Sequence, residues 1–292
     1  MRRTTHGFGR GLLALDRRAF LGFQVWEFSW RSLGQRYGHT FLRRIVLRYP
    51  LRTLRGLLAY RRFVVAGSGE RPVVNLTSGG LARFVQAAAE AGDGFLVATG
   101  FCQKPMARGE REGCPAGRAN HLCHYLAHLE QAEAFHPACA ACDIRIIGLR
   151  ALRAGATMHI MTTALDIAHD LLLPTLAQGR FRQALLALCP YSVQPMALSL
   201  SICGIEAVLV TYGSGACADY TQWLQADRGM KPERTFIASE GHMRLLELLD
   251  EVSARRIELG RPPPRRFRLV GNLYLPSSSP RRGAAPSGLR SG

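Results

Sequence analysis

The chain has 292 residues, and 47% of them are apolar, so it is long enough and apolar enough to bury a sizeable core. That composition excludes disorder along the whole chain. The net charge of +17 would favour nucleic acid as a partner, but it is concentrated at the two ends. Residues 1–66 carry a net charge of +12 and residues 261–292 carry +7, whereas residues 67–260 carry −2. We therefore expect a nearly neutral globular centre, for which nucleic acid is a disfavoured partner.

Export and membrane insertion are both disfavoured by the N-terminal sequence. No stretch of 18 or more apolar residues occurs, so the sequence contains no obvious membrane-spanning helix. The run at 16–21 is similar to a twin-arginine export signal, but Glu27 and Arg31 interrupt the apolar region that should follow it. We expect a cytoplasmic protein, in which disulfides are disfavoured for the eight cysteines and metal ligation is the usual alternative.

Residues 1–66 are predicted to form a basic amphipathic helical segment. Leu51, Leu54, Leu57 and Leu58 fall on one face of a helix that the neighbouring arginines largely avoid. Such a helix either packs onto the core or lies on an anionic membrane surface. A peripheral contact of this segment with the inner face of the membrane is therefore one expected partner interaction.

From residue 73 onward, short apolar runs alternate with helical patterns, which is typical of βαβ units. The sequence predicts an α/β fold with a mostly parallel sheet, helices on both faces, an inserted cysteine-rich loop and the N-terminal basic helical segment. The α/β domain is expected to span 67–260, followed by a disordered tail rich in Arg, Pro and Ser at 261–292. The predicted strands are 73–76, 95–98, 159–162, 185–188, 207–210 and 235–237, and the predicted helices are 80–91, 143–154, 164–178, 194–203, 216–226 and 240–259.

Five cysteines within 41 residues predict a metal centre in the loop at 101–142. Cys139 and Cys142 form a C-x2-C pair, whose sulfurs can reach the same metal, and the upstream cysteines are candidates for the remaining ligands. The expected cofactor is an iron–sulfur cluster of the 4Fe–4S type. Zinc with mixed Cys and His ligation is the alternative, because four histidines lie in or beside the same loop. The predicted metal ligands are Cys102, Cys114, Cys123, Cys139 and Cys142, and the nearby histidines are His121, His124, His128 and His136.

Two further cysteines, Cys189 and Cys217, follow predicted strands and are candidates for binding a cofactor or substrate. Ligands in open parallel sheets bind outside the carboxyl ends of the strands. Cys102, Cys189 and Cys217 each follow a predicted strand, so the three are expected to share one edge of the sheet. Cys189 and Cys217 are therefore expected either to approach the metal cluster or to act on a substrate beside it. A buried, inert thiol is the alternative for both.

The order of these features resembles an uncharacterised prokaryotic family, the domain of unknown function one hundred and sixteen. The resemblance covers roughly residues 100–215 and rests on Gly-Cys-Pro-Ala at 113–116, Cys-Ala-Ala-Cys-Asp-Ile at 139–144, and the segments Ala-Gly-Ala at 154–156 and His-Ile-Met at 159–161. It implies a cysteine-rich α/β module that binds metal, and it does not imply a particular reaction.

Three functions remain open on the sequence. The first is an iron–sulfur protein with a redox or electron-transfer role and a redox partner. The second is a thiol-dependent enzyme that acts on a small molecule through Cys189 or Cys217, with a structural zinc site in the loop. The third is a peripheral module whose arginines bind a membrane or nucleic acid. Aromatic stacking signatures of RNA-binding sheets are missing, which disfavours nucleic acid further.

Overall fold

The computed structural model describes residues 23–65, 72–107, 112–129 and 136–278, without the side chains of 23–27 and 62–65. Its α-helices are α1 Phe23–Ser32, α2 Arg36–Phe41, α3 Pro50–Val65, α4 Gly80–Ala91, α5 His124–Ala127, α6 Asp143–Arg153, α7 Ala164–Ile167, α8 Leu173–Gln178, α9 Pro190–Cys203, α10 Tyr220–Asp227 and α11 Ser239–Glu258. Its strands are β1 Val73–Asn75, β2 Phe95–Gly100, β3 Thr157–Met161, β4 Gln183–Leu188, β5 Glu206–Thr211, β6 Arg266–Val270 and β7 Leu273–Ser277. A π-helical turn, Leu42–Val46, follows α2, and a second, Ala168–Leu172, joins α7 to α8.

Within the described residues, the strands form one sheet in the order β1-β5-β4-β2-β3-β7-β6. The central strands β5, β4, β2 and β3 are parallel, whereas β1 and β7 pair antiparallel at the two sides and β6 pairs antiparallel with β7. The central strands are buried almost completely, as expected for a parallel sheet covered on both faces. The prediction of a mostly parallel α/β fold is confirmed.

Helices cover both faces of the sheet because alternate strand residues point to opposite sides. Phe95 and Val97 of β2 pack into the apolar core beneath α4, α6 and α11. Leu96 and Ala98 pack into the second core, beneath α9, the π-turn before α8, and the N-terminal helices. Tyr60 of α3 is fully buried in that second core, so the predicted basic segment contributes directly to the folded domain.

The winding of the sheet changes direction at β2. The chain passes from β2 to β3 on one side, then crosses back to β4 on the other side of β2. The loops that follow β2 and β4 therefore run in opposite directions and leave a crevice at the carboxyl ends of these two strands. Such a crevice is the usual ligand position in open α/β sheets. Cys102 follows β2 and Cys189 follows β4, so two predicted site residues border this crevice.

The structure corrects the predicted C-terminal tail and several element boundaries. Disorder is wrong for the first part of 261–292, because β6 and β7 form a hairpin that extends the sheet beside β3. Phe267 and Tyr274 are buried in this hairpin, and two such residues outweigh the surrounding Pro- and Ser-rich composition. The predicted strand at 235–237 is reduced to an isolated bridge between Tyr212 and Ile237. The export-like run at 16–21 and the end of the tail, 279–292, lie outside the described residues.

None of the helices within the four described ranges combines the length needed to cross a bilayer with sufficient apolar character. This agrees with the sequence-based expectation.

Candidate functional site

Three cysteines meet at the crevice where the winding of the sheet reverses. Cys102 follows β2, Cys189 immediately precedes α9, and Cys217 lies in the loop between β5 and α10. All three are buried. The sequence-based prediction that they share one edge of the sheet is therefore matched by their positions.

Cys189 and Cys217 form a close pair with a lysine beside them. The backbone amide of Cys217 donates to the Cys189 sulfur at 3.2 Å, and the Lys231 ammonium donates to the Cys217 sulfur at 3.3 Å. A hydrogen bond from the Cys189 thiol and the positive charge of Lys231 lower the pKa of Cys217, although its burial opposes them. The same hydrogen bond, followed by burial, raises the pKa of Cys189. Cys217 is thus favoured as the thiolate of the pair, with Cys189 as the protonated donor.

Cys102 lies against this pair, and its backbone is held in place by two contacts. Its carbonyl oxygen accepts from the Thr235 amide at 2.9 Å and from the Arg118 guanidinium at 3.2 Å. Burial raises the pKa of the Cys102 thiol, which favours its neutral form. The preceding Gly100 has no room for a side chain, since a Cβ atom there would lie 3.0 Å from the Cys102 sulfur and 3.0 Å from the Tyr212 hydroxyl oxygen.

The paired thiols face a largely apolar cavity of about 430 Å³. Helices α1–α3 and α9 line one side of it, and the loops after β2, β4 and β5 line the other. Its charged lining residues are Lys231 and Asp227, and its other polar lining residues are mainly serines and threonines. Burial raises the pKa of the Asp227 carboxyl, while its 2.6 Å hydrogen bond from the Ala164 amide opposes that shift. A cavity with mostly apolar walls and a few convergent polar groups is typical of a small-molecule site.

The cysteine-rich loop is organised around Lys104, which is almost completely buried. Its ammonium donates to the carbonyl oxygens of Gly117, Asn120 and Leu122 at 3.1, 2.8 and 2.7 Å, and to the Asn120 side-chain oxygen at 2.7 Å. Burial lowers the pKa of Lys104, but nearby thiols, including Cys114, act in the opposite direction. Lys104 therefore both closes the loop and places a positive charge beside its sulfurs.

Four of the five predicted metal ligands interact with one another in this loop. Burial, together with the nearby thiols of Cys142, Cys114 and Cys139, raises the pKa of Cys123 to about 12. Cys123 precedes α5 and Cys142 precedes α6, and backbone amides of these helices favour the thiolate forms of both. Cys102 interacts instead with Cys217. The structure therefore separates Cys102 from the other four predicted ligands.

The spacing of the loop sulfurs can be compared with that of a site for a single metal ion. Within the described ranges, no three cysteine sulfurs lie within 4.8 Å of one another. Four thiolates around a single zinc ion would lie about 3.8 Å apart, from the Zn–S bond length and tetrahedral geometry. Among the described residues, no set of three loop sulfurs therefore has the spacing of a single zinc site.

Histidine and aspartate side chains form a second cluster beside β3, which the sequence did not reveal. Ligand atoms of His121, His159 and Asp170 all lie within 4.8 Å of one another, so they could hold a metal ion. Hydrogen bonds already connect two of them, since His159 Nε2 lies 3.2 Å from Asp170 Oδ2. Nδ1 of His121 lies 2.7 Å from the carbonyl oxygen of Ile160. A histidine within an otherwise apolar strand was the available signal for this cluster, since buried polar groups require partners.

Comparisons of the chain with protein-family models, with curated proteins and with solved structures gave no match. The resemblance to the domain of unknown function one hundred and sixteen remains a prediction. Arguments about function therefore depend on the geometry of this chain alone.

Proposed function

We propose that the protein is a thiol-dependent enzyme in which Cys217 attacks a largely apolar small molecule bound in the cavity. The observation that carries the proposal is the contact of the Cys217 sulfur with both a thiol donor, Cys189, and a cation, Lys231, at the ligand crevice of the sheet. A thiolate, rather than a thiol, is the nucleophile in such chemistry.

The cavity supports an apolar substrate, because its walls are supplied mainly by helices rich in aliphatic and aromatic side chains. Phe28, Leu57 and Met161 are among the lining residues, and the charged lining residues are Asp227 and Lys231. Asp227 lines the same cavity, and its raised pKa suits a group that donates a proton to a leaving atom. The cavity thus combines a nucleophile and an acid in one largely apolar site.

A labelling experiment with n-alkyl maleimides of increasing chain length tests this proposal. At pH 7 we expect one adduct, on Cys217 by peptide mapping, that forms faster with an octyl than with a methyl maleimide. Replacing Leu57 by Trp should fill part of the cavity and remove the advantage of the octyl probe while leaving the methyl rate nearly unchanged. Labelling of Cys139 in place of Cys217, or rates independent of chain length, would overturn the proposal.

We also propose, as a second function, that Cys114, Cys123, Cys139 and Cys142 hold an iron–sulfur cluster with a redox role. The electrostatic interactions among the four thiols, the helix amides that favour the thiolate forms of Cys123 and Cys142, and the buried Lys104 charge all support a negatively charged metal centre. A bound cluster would supply reversible electron transfer, and this chain would supply its ligands and the compensating charge.

Anaerobic purification distinguishes the two metals. A brown protein that contains iron and acid-labile sulfide is expected, and a colourless protein with stoichiometric zinc would reject the cluster. The variant C139S/C142S should lose iron. Two matched variants, C102A and C203A, should retain it, because Cys102 lies beside Cys217 and Cys203 lies at the end of α9. Loss of iron in C102A would show that the division of the ligands is wrong.

A further inference from the structure

The outer face of α3 carries a row of leucines that the fold leaves in solvent. Leu51, Leu54 and Leu58 are 71%, 56% and 48% exposed, and Leu47, just before the helix, is 66% exposed. Residues three and four positions apart in a helix lie on the same face. These side chains therefore form one continuous apolar stripe, whereas exposed leucines in most proteins are scattered singly.

The opposite face of the same helix is firmly packed, so the exposed stripe is not a misplaced core face. Gly56 approaches α9 so closely that a Cβ atom there would lie 2.5 Å from the Ile202 Cα atom. Tyr60, one turn further on, is completely buried. The helix is thus apolar on two sides, one of which contacts the domain while the other faces outward.

Arginines surround the stripe, and no acidic residue interrupts them. Residues 42–65 contain seven arginines and no aspartate, glutamate or lysine. Arg48, Arg52 and Arg55 are exposed beside the leucines. A helix with leucines on its outer face and arginines along the edges of that face has the composition of helices that lie in the interface of an anionic membrane.

We infer that α3 is a docking surface for an anionic lipid bilayer, with its leucines inserted among the lipid chains and its arginines at the headgroups. A second copy of the chain is a poor occupant, because two such faces would bring the exposed Arg48, Arg52 and Arg55 against the same three arginines. A nucleic acid would use the arginines but has no use for the leucine stripe. The bilayer is the partner that engages both kinds of side chain.

The docking surface and the cavity belong to the same helix. Thr53 and Leu57 of α3 line the cavity on the inner side, and the leucine stripe lies on the outer side. Docking would therefore hold the helical wall of the cavity against the membrane, where apolar small molecules are concentrated. This consequence rests on the proposed function, whereas the docking itself does not depend on any chemistry at Cys217.

Vesicle co-sedimentation of the full chain in 150 mM salt tests the inference. We expect binding to vesicles that contain phosphatidylglycerol and little binding to pure phosphatidylcholine. The variant L51Q/L54Q/L58Q should bind at least about tenfold more weakly. The control M243Q/I257Q alters similarly exposed apolar residues on α11, and it should bind like the wild type.

The contribution of the arginine charges to vesicle binding is tested separately. The variant R48Q/R52Q/R55Q should weaken binding on the order of a hundredfold, since each arginine near an anionic surface contributes about fivefold. Its control, R153Q/R182Q/R268Q, alters exposed arginines on other elements and should have a small effect. The inference is wrong if the wild type does not bind anionic vesicles. It is also wrong if the variant L51Q/L54Q/L58Q binds them as well as the wild type does, as expected of a purely electrostatic surface for nucleic acid. A dimer in sedimentation that the leucine variant abolishes would instead identify a second copy as the occupant.

Discussion

The lysine beside Cys217 gives the sharpest test of the proposed thiolate. Lys231 Nζ lies 3.3 Å from the Cys217 sulfur, and it is one of the two groups that lower the pKa of that thiol. Replacing Lys231 by Met removes the charge and keeps an aliphatic chain of similar length. The change should raise the pKa of Cys217, because an opposite charge at this distance lowers a pKa by about one to three units.

The expected change in rate follows from two opposing effects. An upward shift of about two pKa units, from a pKa of about 6, decreases the thiolate fraction about a hundredfold at pH 5 but only about tenfold at pH 7. The more basic thiolate is also more nucleophilic, and this raises the rate constant for attack by the thiolate roughly eightfold for a Brønsted slope of 0.4–0.5. Alkylation of Cys217 by iodoacetamide at pH 5 should therefore slow about tenfold, whereas at pH 7 the two effects nearly cancel, and the pH–rate profile should move to higher pH.

The assay is the pH dependence of alkylation, followed by mass spectrometry of the Cys217 peptide. The variant K231R retains the charge and should keep most of the wild-type rate. The variant R228M removes an exposed positive charge from the end of α10 and should leave the profile unchanged. Identical profiles for K231M and the wild type, or an equal shift in R228M, would refute the assignment of Cys217 as an activated thiolate.

Three further predictions concern the groups around the site. The variant K104M should lower the free energy of unfolding in urea by about 3 kcal/mol, because four oxygen acceptors in the loop lose their donor; a loss below about 1 kcal/mol would contradict the role given to Lys104. Burial lowers the pKa of His159, so the unfolded chain takes up a proton below about pH 6.5 that the folded chain does not. Stability should therefore fall as the pH decreases from 7 to 5, by up to about 1.4 kcal/mol per pH unit, and H159Q should decrease this slope in urea titrations; parallel curves would count against the assignment. The Tyr274 hydroxyl accepts from the Cys123 amide at 2.6 Å and lies 3.1 Å from the His121 carbonyl oxygen. The variant Y274F should therefore lower the free energy of unfolding by about 1–3 kcal/mol and speed hydrogen exchange at the Cys123 amide. Unchanged exchange would show that the hairpin does not support the loop.

The pattern of the sequence determined most of the fold. Alternating strand and helix patterns are local signals, so β2 and β4 were predicted close to their observed positions, as was α4. The helix that begins at Pro190 was predicted to start later, because its first turn lacks the apolar periodicity of the rest. The β6–β7 hairpin was missed for a different reason: its stability depends on pairing with β3, and composition does not report such a distant contact.

The sequence by itself determined that this chain forms an α/β sheet with basic ends, and that cysteines follow three of its strands. Only the tertiary structure decided which thiols meet. Along the chain, Lys231 is 14 residues from Cys217 and 42 from Cys189, so no local sequence pattern connects the three. Their contacts depend on the order of strands in the sheet. The same holds for Cys102, which lies in sequence beside the loop cysteines but in space beside Cys217. Spacing along a chain predicts ligands within one turn or loop, and the positions of strand ends are fixed by long-range packing.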